Sequence, residues 1–441
     1  MSEIDTNRME KQHTARGTTM HADENHRVTS ERPDQNNANS PPPSCWSAAF
    51  EVFLVALRLG LTSFGGPIAH LGYFRDEYVV RRKWLDEHTY AEAVALCQIL
   101  PGPASSQVGM TIGMMRAGML GGVMSWLGFT LPSAVVLLIF AYGVASLNVA
   151  DAGWLHGLKL VAVPIVAQAV WGMACALTPD KPRITIAIVA SIAALTFATA
   201  WAQVAIIAAA AVIGWRFLGS AQAMPPVQEH TRTRQSLWVP LAALGILGLL
   251  LVGLPIVRQL VSNQALAVFD SFFRVGSLVF GGGHVVLPLL EHEVVAPGWA
   301  TTEQFLAGYG ATQAVPGPLF TFSAYLGAVM HPGPLAWFYG VFTLVAIFLP
   351  AFLFVVARMP LWHLMRTHPY FQAAIRGVNA GVVGILLAAL YDPIWTNSVK
   401  TPADFSLALA LFGLLMFWRL PPWVVVASAA VGGAAITFFT G

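Results

Sequence analysis

The chain has 441 residues, 56% of them hydrophobic and only 10% charged, with a mean hydropathy of +0.63. Soluble domains carry about 25% charged residues, so this composition excludes a soluble enzyme and marks an integral membrane protein. The formal net charge of +2 gives no reason to expect nucleic acid as a partner; the lipid bilayer is the partner the composition demands.

Residues 1–45 are polar and mixed in charge, cannot bury enough apolar surface to fold, and read as a disordered cytoplasmic tail. They lack the apolar stretch of a signal peptide, and their His and acidic residues read as solvated. Cys45, Cys97 and Cys175 share no CxxC spacing and imply neither a disulfide framework nor a thiolate metal site.

The first repeat, 46–219, opens with four short arms. Residues 47–64 and 67–82 meet at Phe64-Gly65-Gly66-Pro67, and 89–100 and 104–117 meet at Pro101-Gly102-Pro103. Each arm is too short or too polar to match the roughly 20 apolar residues a span needs, so each pair is expected to be re-entrant. Full-length apolar segments follow near 119–146, 155–177, 183–198 and 200–218. Residues 220–260 supply a polar linker (220–236) and one extra span near 237–257. The second repeat, 261–441, carries apolar segments at 334–358, 371–390, 404–418 and 421–440.

Aligning 58–84 with 274–299 matches Arg58 with Arg274, Phe64-Gly65-Gly66 with Phe280-Gly281-Gly282, and Glu77 with Glu293. The register continues to Gln98 and Pro101-Gly102-Pro103 against Gln313 and Pro316-Gly317-Pro318, and "FTLPSA" (129–134) echoes "IFLPAF" (347–352). The first hairpin connection holds Arg75, Arg81, Arg82 and Lys83; its counterpart at 284–304 has acidic residues and no Lys or Arg. By the positive-inside rule the two connections lie on opposite sides. Five spans between the motifs, an odd number, give the same answer. The expected fold is all-α and polytopic, with two homologous halves as an inverted repeat broken at the Phe-Gly-Gly and Pro-Gly-Pro motifs. Counting every arm as a span is the rival reading.

Irregular backbone at membrane depth survives only where protein buries it or a cavity needs it, and inverted repeats with broken helices place transport sites there. After Pro103 the next helix would turn free N–H groups and its positive dipole end toward the break, with Ser105, Ser106 and Gln107 as further donors. The second copy offers Thr321 and Ser323. Arg58 and Arg274 sit in apolar stretches, where an arginine marks function by default; anion coordination and an ion pair or snorkelling both fit. Glu77 and Glu293 are candidates for coupling or ion pairing, and Gln98 and Gln313 for oxyanion donation or capping. Lys159, opposite Asn379 in the second half, reads as a snorkelling lysine. In "HVVLPLLEHEV", Glu291, His292 and Glu293 are adjacent and cannot share one face, so no metal is expected. No HExxH, GxSxG, P-loop or GxGxxG pattern occurs, so no cofactor and no catalytic residues are assigned.

"FGGPIAHLGYFRDEYVVRRKWL" followed by "LCQILPGPASSQVGMTIG" resembles the chromate ion transporter family, and the duplicated "FGGG" and "QAVPGP" resemble its long, two-domain form. The resemblance covers nearly all of 47–440. It implies a transporter, not an enzyme, that exports chromate across the bacterial inner membrane and confers chromate resistance; sulfate, of the same charge and shape, is the alternative substrate. The oligomeric state cannot be read from the sequence, which leaves room for a homodimer. The resemblance carries roles onto Arg58, Phe64, Gly65, Gly66, Glu77, Gln98, Pro101, Gly102 and Pro103 and their second-half counterparts. The chain departs from a strict repeat: Pro67 faces Gly283, and the polar run after Pro103 becomes "LFTF", so unequal contributions are expected. A dianion leaving a negative-inside cell gains about 2 × 2.3 kcal/mol at 100 mV, roughly a 2,000-fold gradient without pump chemistry. An anion channel remains a rival, as does a membrane enzyme or metal carrier using His70, His284 and His292. Under the transport reading, replacing those histidines by Gln is expected to do little.

Overall fold

Side-chain caps set where many of the helices begin. Asp86, Asp180, Thr199 and Asn263 each accept a hydrogen bond from the backbone N–H three residues on. Thr301 and Thr401 form reciprocal capping boxes with Gln304 and Asp404. Such caps satisfy N–H groups that the first turn of a helix leaves without an intrahelical partner.

The computed structural model describes residues 45–146, 153–197, 199–219, 238–280, 283–358 and 368–440. The tail through residue 44, the linker at 220–236, and Gly281 and Gly282 lie outside the described residues. Among those described, the chain is helical with no strand. Six helices are long and apolar enough to cross a membrane, which makes this a multi-pass membrane protein.

The first half runs α1 (Cys45–Thr62), α2 (Gly66–Arg75), α3 (Glu87–Ile99), α4 (Ala104–Ser146), α5 (Gly153–Leu177), α6 (Lys181–Thr196) and α7 (Ala200–Phe217). Then α8 (Trp238–Leu260) stands between the halves. The second half runs α9 (Gln264–Leu278), α10 (Val286–Val294), α11 (Thr302–Gln313), α12 (Phe322–Met330), α13 (Ala336–Val356), α14 (Pro369–Ala389), α15 (Pro402–Met416) and α16 (Pro422–Thr440). The backbone leaves helical geometry between α1 and α2, and between α3 and α4, at the two motifs that the sequence singles out.

Helix α4 is bent double. Ala117 (φ −141°, ψ 29°) and Gly118 (φ 62°, ψ −156°) break it into arms 104–116 and 119–146. A Cβ on Gly121 would lie 2.1 Å from the Gly113 carbonyl oxygen. Eight residues apart on a straight helix would be roughly 12 Å apart, so the arms must run antiparallel in contact. Glycine at both positions is what lets the two backbones approach so closely. In the second half α12 and α13 pack in the same way, a Cβ on Gly327 falling 2.3 Å from the Tyr339 carbonyl oxygen.

The halves are interleaved. Helix α5 packs against α15 and α16 of the second half, while α14 packs against α6 and α7 of the first. A Cβ on Gly157 of α5 would meet the Ala429 carbonyl oxygen at 1.9 Å, and one on Gly377 of α14 the Ala210 carbonyl oxygen at 2.1 Å. Equivalent residues therefore make equivalent close contacts across the halves, and the main buried cluster draws on both, while a smaller one around Phe74 and Tyr78 belongs to the first half alone.

Candidate functional site

Two backbone hydrogen bonds tie the four motifs together. Gly102 N–H donates to the Val279 carbonyl at 2.7 Å, and Gly317 N–H donates to the Ser63 carbonyl at 3.0 Å. Ser63 and Val279 each immediately precede a Phe-Gly-Gly motif. Each Pro-Gly-Pro loop thus crosses onto the other half's Phe-Gly-Gly turn. Both glycines have positive φ, +115° at Gly102 and +102° at Gly317. An L side chain is strained there, and the flanking prolines hold the turn open.

The surroundings of the two crossings differ. At the first, the Phe64 turn of this half meets the Gly317 loop. A Cβ on Gly317 would stand 2.9 Å from Ser133 Oγ and 3.3 Å from the Phe129 carbonyl oxygen. The Phe129 ring lies edge-on to His70 at 5.4 Å, and His70 Nδ1 is 3.2 Å from Ser105 Oγ. Ser63, His70, Ser105, Ser106, Thr130 and Ser133 are all buried. At the second crossing a Cβ on Gly102 would meet Gln107 Nε2 at 3.1 Å and Ala351 Cβ at 3.2 Å. Gln107 Nε2 donates to the Pro101 carbonyl at 2.7 Å and so braces this loop. Phe320 and Trp126 pack on Phe348 nearby.

The expected site residues divide into three groups. Pro101, Gly102, Pro103, Pro316, Gly317 and Pro318 form the crossing loops, with Phe64, Gly65 and Gly66 at one turn and Phe280 at the other. Gly65 is left-handed (φ 98°) at the start of α2. Gly281 and Gly282 are outside the described residues. Ser105 and Ser106 are buried on the first turn of the 104–116 arm. Gln98, by contrast, sits exposed on α3, so Gln107 rather than Gln98 serves the first loop. Gln313 is half-buried with its Nε2 enclosed.

The arginines form a third group. Arg58 Nη1 is 3.9 Å from Glu77 Oε2, and Arg81 and Arg82 hold the same carboxylate at 3.2 and 2.8 Å. Arg82 and Arg116 also reach Glu51, at 3.0 and 3.2 Å, and both lie over the Trp84 ring. In the second half Arg274 pairs with Asp270 at 2.6 Å and with Glu293 at 3.1 Å. Ser271 donates to Glu293 at 2.6 Å, and Arg258 reaches Asp270 at 3.2 Å while lying over Trp299. Both arginines of the repeat thus sit in ion pairs with the repeated glutamates. In "HVVLPLLEHEV", His284 Nδ1 meets the Tyr309 hydroxyl at 2.8 Å while Glu293 is held by Arg274.

Sequence reasoning did not single out Ser63, Thr130 or Ser133, and weighed His70 only under the rival enzyme or metal-carrier reading. Their signal lay in the repeat alignment, where each polar residue faces an apolar one: Val279, Phe348, Ala351 and Val286. An apolar crevice lined by Leu57, Leu61, Leu131, Pro132, Val315 and Pro316 also adjoins the first crossing; it offers an anion nothing.

A family model described as chromate transporter matches residues 50–215 and 266–434. The chain belongs to the chromate transporter family. The chromate transport protein of Pseudomonas aeruginosa is 28% identical over 412 residues, covering 90% of this chain and 94% of that one. That of Cupriavidus metallidurans is 27% identical over 413 residues, covering 90% and 98%. An uncharacterized transporter of Bacillus subtilis is 25% identical over 179 residues, which is 39% of this chain but 97% of its own length. One chromate-transporter repeat therefore corresponds to a whole relative. No solved structure matches.

Proposed function

We propose that the protein is a secondary transporter that exports chromate from the cytoplasm across the bacterial inner membrane and so confers chromate resistance. The two halves lie in opposite orientations across the bilayer, and the arms that meet at the crossings are re-entrant. The reciprocal hydrogen bonds from Gly102 to Val279 and from Gly317 to Ser63 carry this reading. Each joins a helix break of one half to the other half's Phe-Gly-Gly turn, beside the start of a short helix, an arrangement that suits an anion reached from each face in turn. The basic residues of the 75–83 connection against the acidic 284–304 counterpart support the inversion. The membrane potential favours export of a dianion, and Glu77 and Glu293, held by arginines, act as structural ion pairs.

Uptake of labelled chromate and sulfate into everted membrane vesicles tests the reading, each anion competed by the other and the potential and pH gradient collapsed separately. Potential-driven chromate uptake is expected. Sulfate uptake that chromate fails to inhibit would turn the assignment to sulfate. Conductance far above carrier turnover in planar bilayers would make it a channel.

A further inference from the structure

The crossings share a backbone plan but not its chemistry. Ser63, His70, Ser105, Ser106, Thr130 and Ser133 in the first half correspond to Val279, Val286, Phe320, Thr321, Phe348 and Ala351 in the second. Among the latter only Thr321 keeps a polar side chain, and its hydroxyl donates to the Pro318 carbonyl at 2.8 Å. In the first-half set Ser105 and Ser133 are bonded, but the others are not all satisfied. The hydroxyls of Ser63, Ser106 and Thr130 have no hydrogen-bond partner among the described residues, although these residues are at most 2% exposed. His70 Nε2, in a residue 2% exposed, makes no hydrogen bond of normal geometry either. Buried polar groups without partners are rare, and several at one place ask for a ligand.

Contacts join four residues of the set, His70, Ser105, Ser63 and Ser133, around the Gly317 loop. His70 touches Ser105, the second residue of the 104–116 arm, and its ring meets that of Phe129, whose carbonyl abuts Gly317. Ser63 takes the Gly317 N–H, and Gly317 abuts Ser133, whose hydroxyl donates to the Thr130 carbonyl at 3.1 Å. Ser106 and Thr130 adjoin this group in the chain. None of these residues is an arginine or lysine, so the donors are neutral and are joined by the positive end of the 104–116 helix. Where Ser105 donates to His70 Nδ1, Nε2 carries the proton and is a further donor.

We infer that the first crossing is an oxyanion subsite built from the neutral donors Ser63, His70, Ser106 and Thr130, whose second-half counterparts, Thr321 apart, are apolar. The inference rests on the transport reading and assigns the ion to one half. Neutral donors suit a carrier, because no fixed cation competes with release of the dianion. The arginines lie outside this group, in ion pairs with Glu77 and Glu293.

The test uses the full chain in lipid nanodiscs, with chromate and sulfate binding measured at equilibrium and by the rise in melting temperature. Ser63→Ala and Ser106→Ala are each expected to weaken binding about tenfold or more, the scale of a hydrogen bond to a charged group. The melting temperature of the ion-free protein should not fall, because neither hydroxyl has a partner to lose. Thr321→Ala should bind like the parent. His70→Leu should lose more affinity than His70→Gln, which keeps a neutral donor. Parental binding by the Ser63→Ala/Ser106→Ala double variant would overturn the subsite while leaving the transport reading intact. A parent protein that neither binds nor transports chromate or sulfate would overturn the transport reading itself.

Discussion

In the first half a single buried carboxylate, Glu77, is held by arginines whose side chains are 31–56% exposed. In the second half the same Arg–Glu pair is enclosed: Arg274 is 11% exposed, Glu293 10%, and the added Asp270 3%. The first cluster sets Arg58, Arg81, Arg82 and Arg116 against Glu51 and Glu77, leaving cationic charge in excess. The second sets Arg258 and Arg274 against Asp270 and Glu293 and balances. One inherited pair has thus been placed once in an open, positive setting and once in an enclosed, neutral one, with the added Arg258, 36% exposed, at its edge. The crossings diverge in step, with the polar one in the half whose charged cluster is open.

That contrast ranks the expected effects. Arg274→Met should be the most damaging change, because it strands Glu293 and weakens the hold on Asp270 away from water. Breaking one partner of a buried ion pair costs about 3–5 kcal/mol. Thermal or denaturant unfolding in detergent measures it, and a loss under about 1 kcal/mol would mean that water reaches the cluster.

Gly317→Ala and Gly102→Ala come next. Both put a Cβ where φ is +102° or +115°, a backbone strain of order 1–3 kcal/mol. The two should part in function. At Gly317 the new Cβ presses on Ser133 Oγ and the Phe129 carbonyl, inside the polar crossing; at Gly102 it presses on Gln107 and Ala351. Chromate affinity should fall with Gly317→Ala and hold with Gly102→Ala. Equal affinity losses in the two variants would erase the distinction between the crossings.

Much of this architecture was legible in the chain itself. The break positions, the pairing of Arg58 with Arg274 and of Glu77 with Glu293, and the odd span at α8 follow from hydropathy and self-alignment. What could not be read was which loop meets which turn. The Gly102–Val279 and Gly317–Ser63 bonds join residues far apart in the chain, and no local propensity encodes such a crossing. The surroundings of Ser63 and His70 were hidden for the same reason: each looks like an ordinary residue of a short arm until the Gly317 loop and Ser105 are set beside it. Asp270 escaped notice because its counterpart is Leu54, so the repeat gave it no echo.

Glu77→Gln should fall between these variants and the surface changes. The arginines released keep access to water and, for Arg82, to Glu51, so a loss of about 1 kcal/mol is expected, well below that for Arg274→Met.

The smallest effect should come from Arg116→Gln. Arg116 and Glu51 are each 38% exposed, and such pairs are worth at most about 1 kcal/mol. Yet Arg116 belongs to the cationic excess of the first cluster, and a charge that contributes little to stability still shapes the potential that draws an anion to the protein. The variant should therefore unfold like the parent but take up chromate more slowly into everted vesicles at low ionic strength. The difference should vanish near 1 M salt, where the screening length falls to about 3 Å. A deficit that persists in high salt would instead give Arg116 a direct hold on the ion, and the open cluster would have to be read as a binding site in its own right.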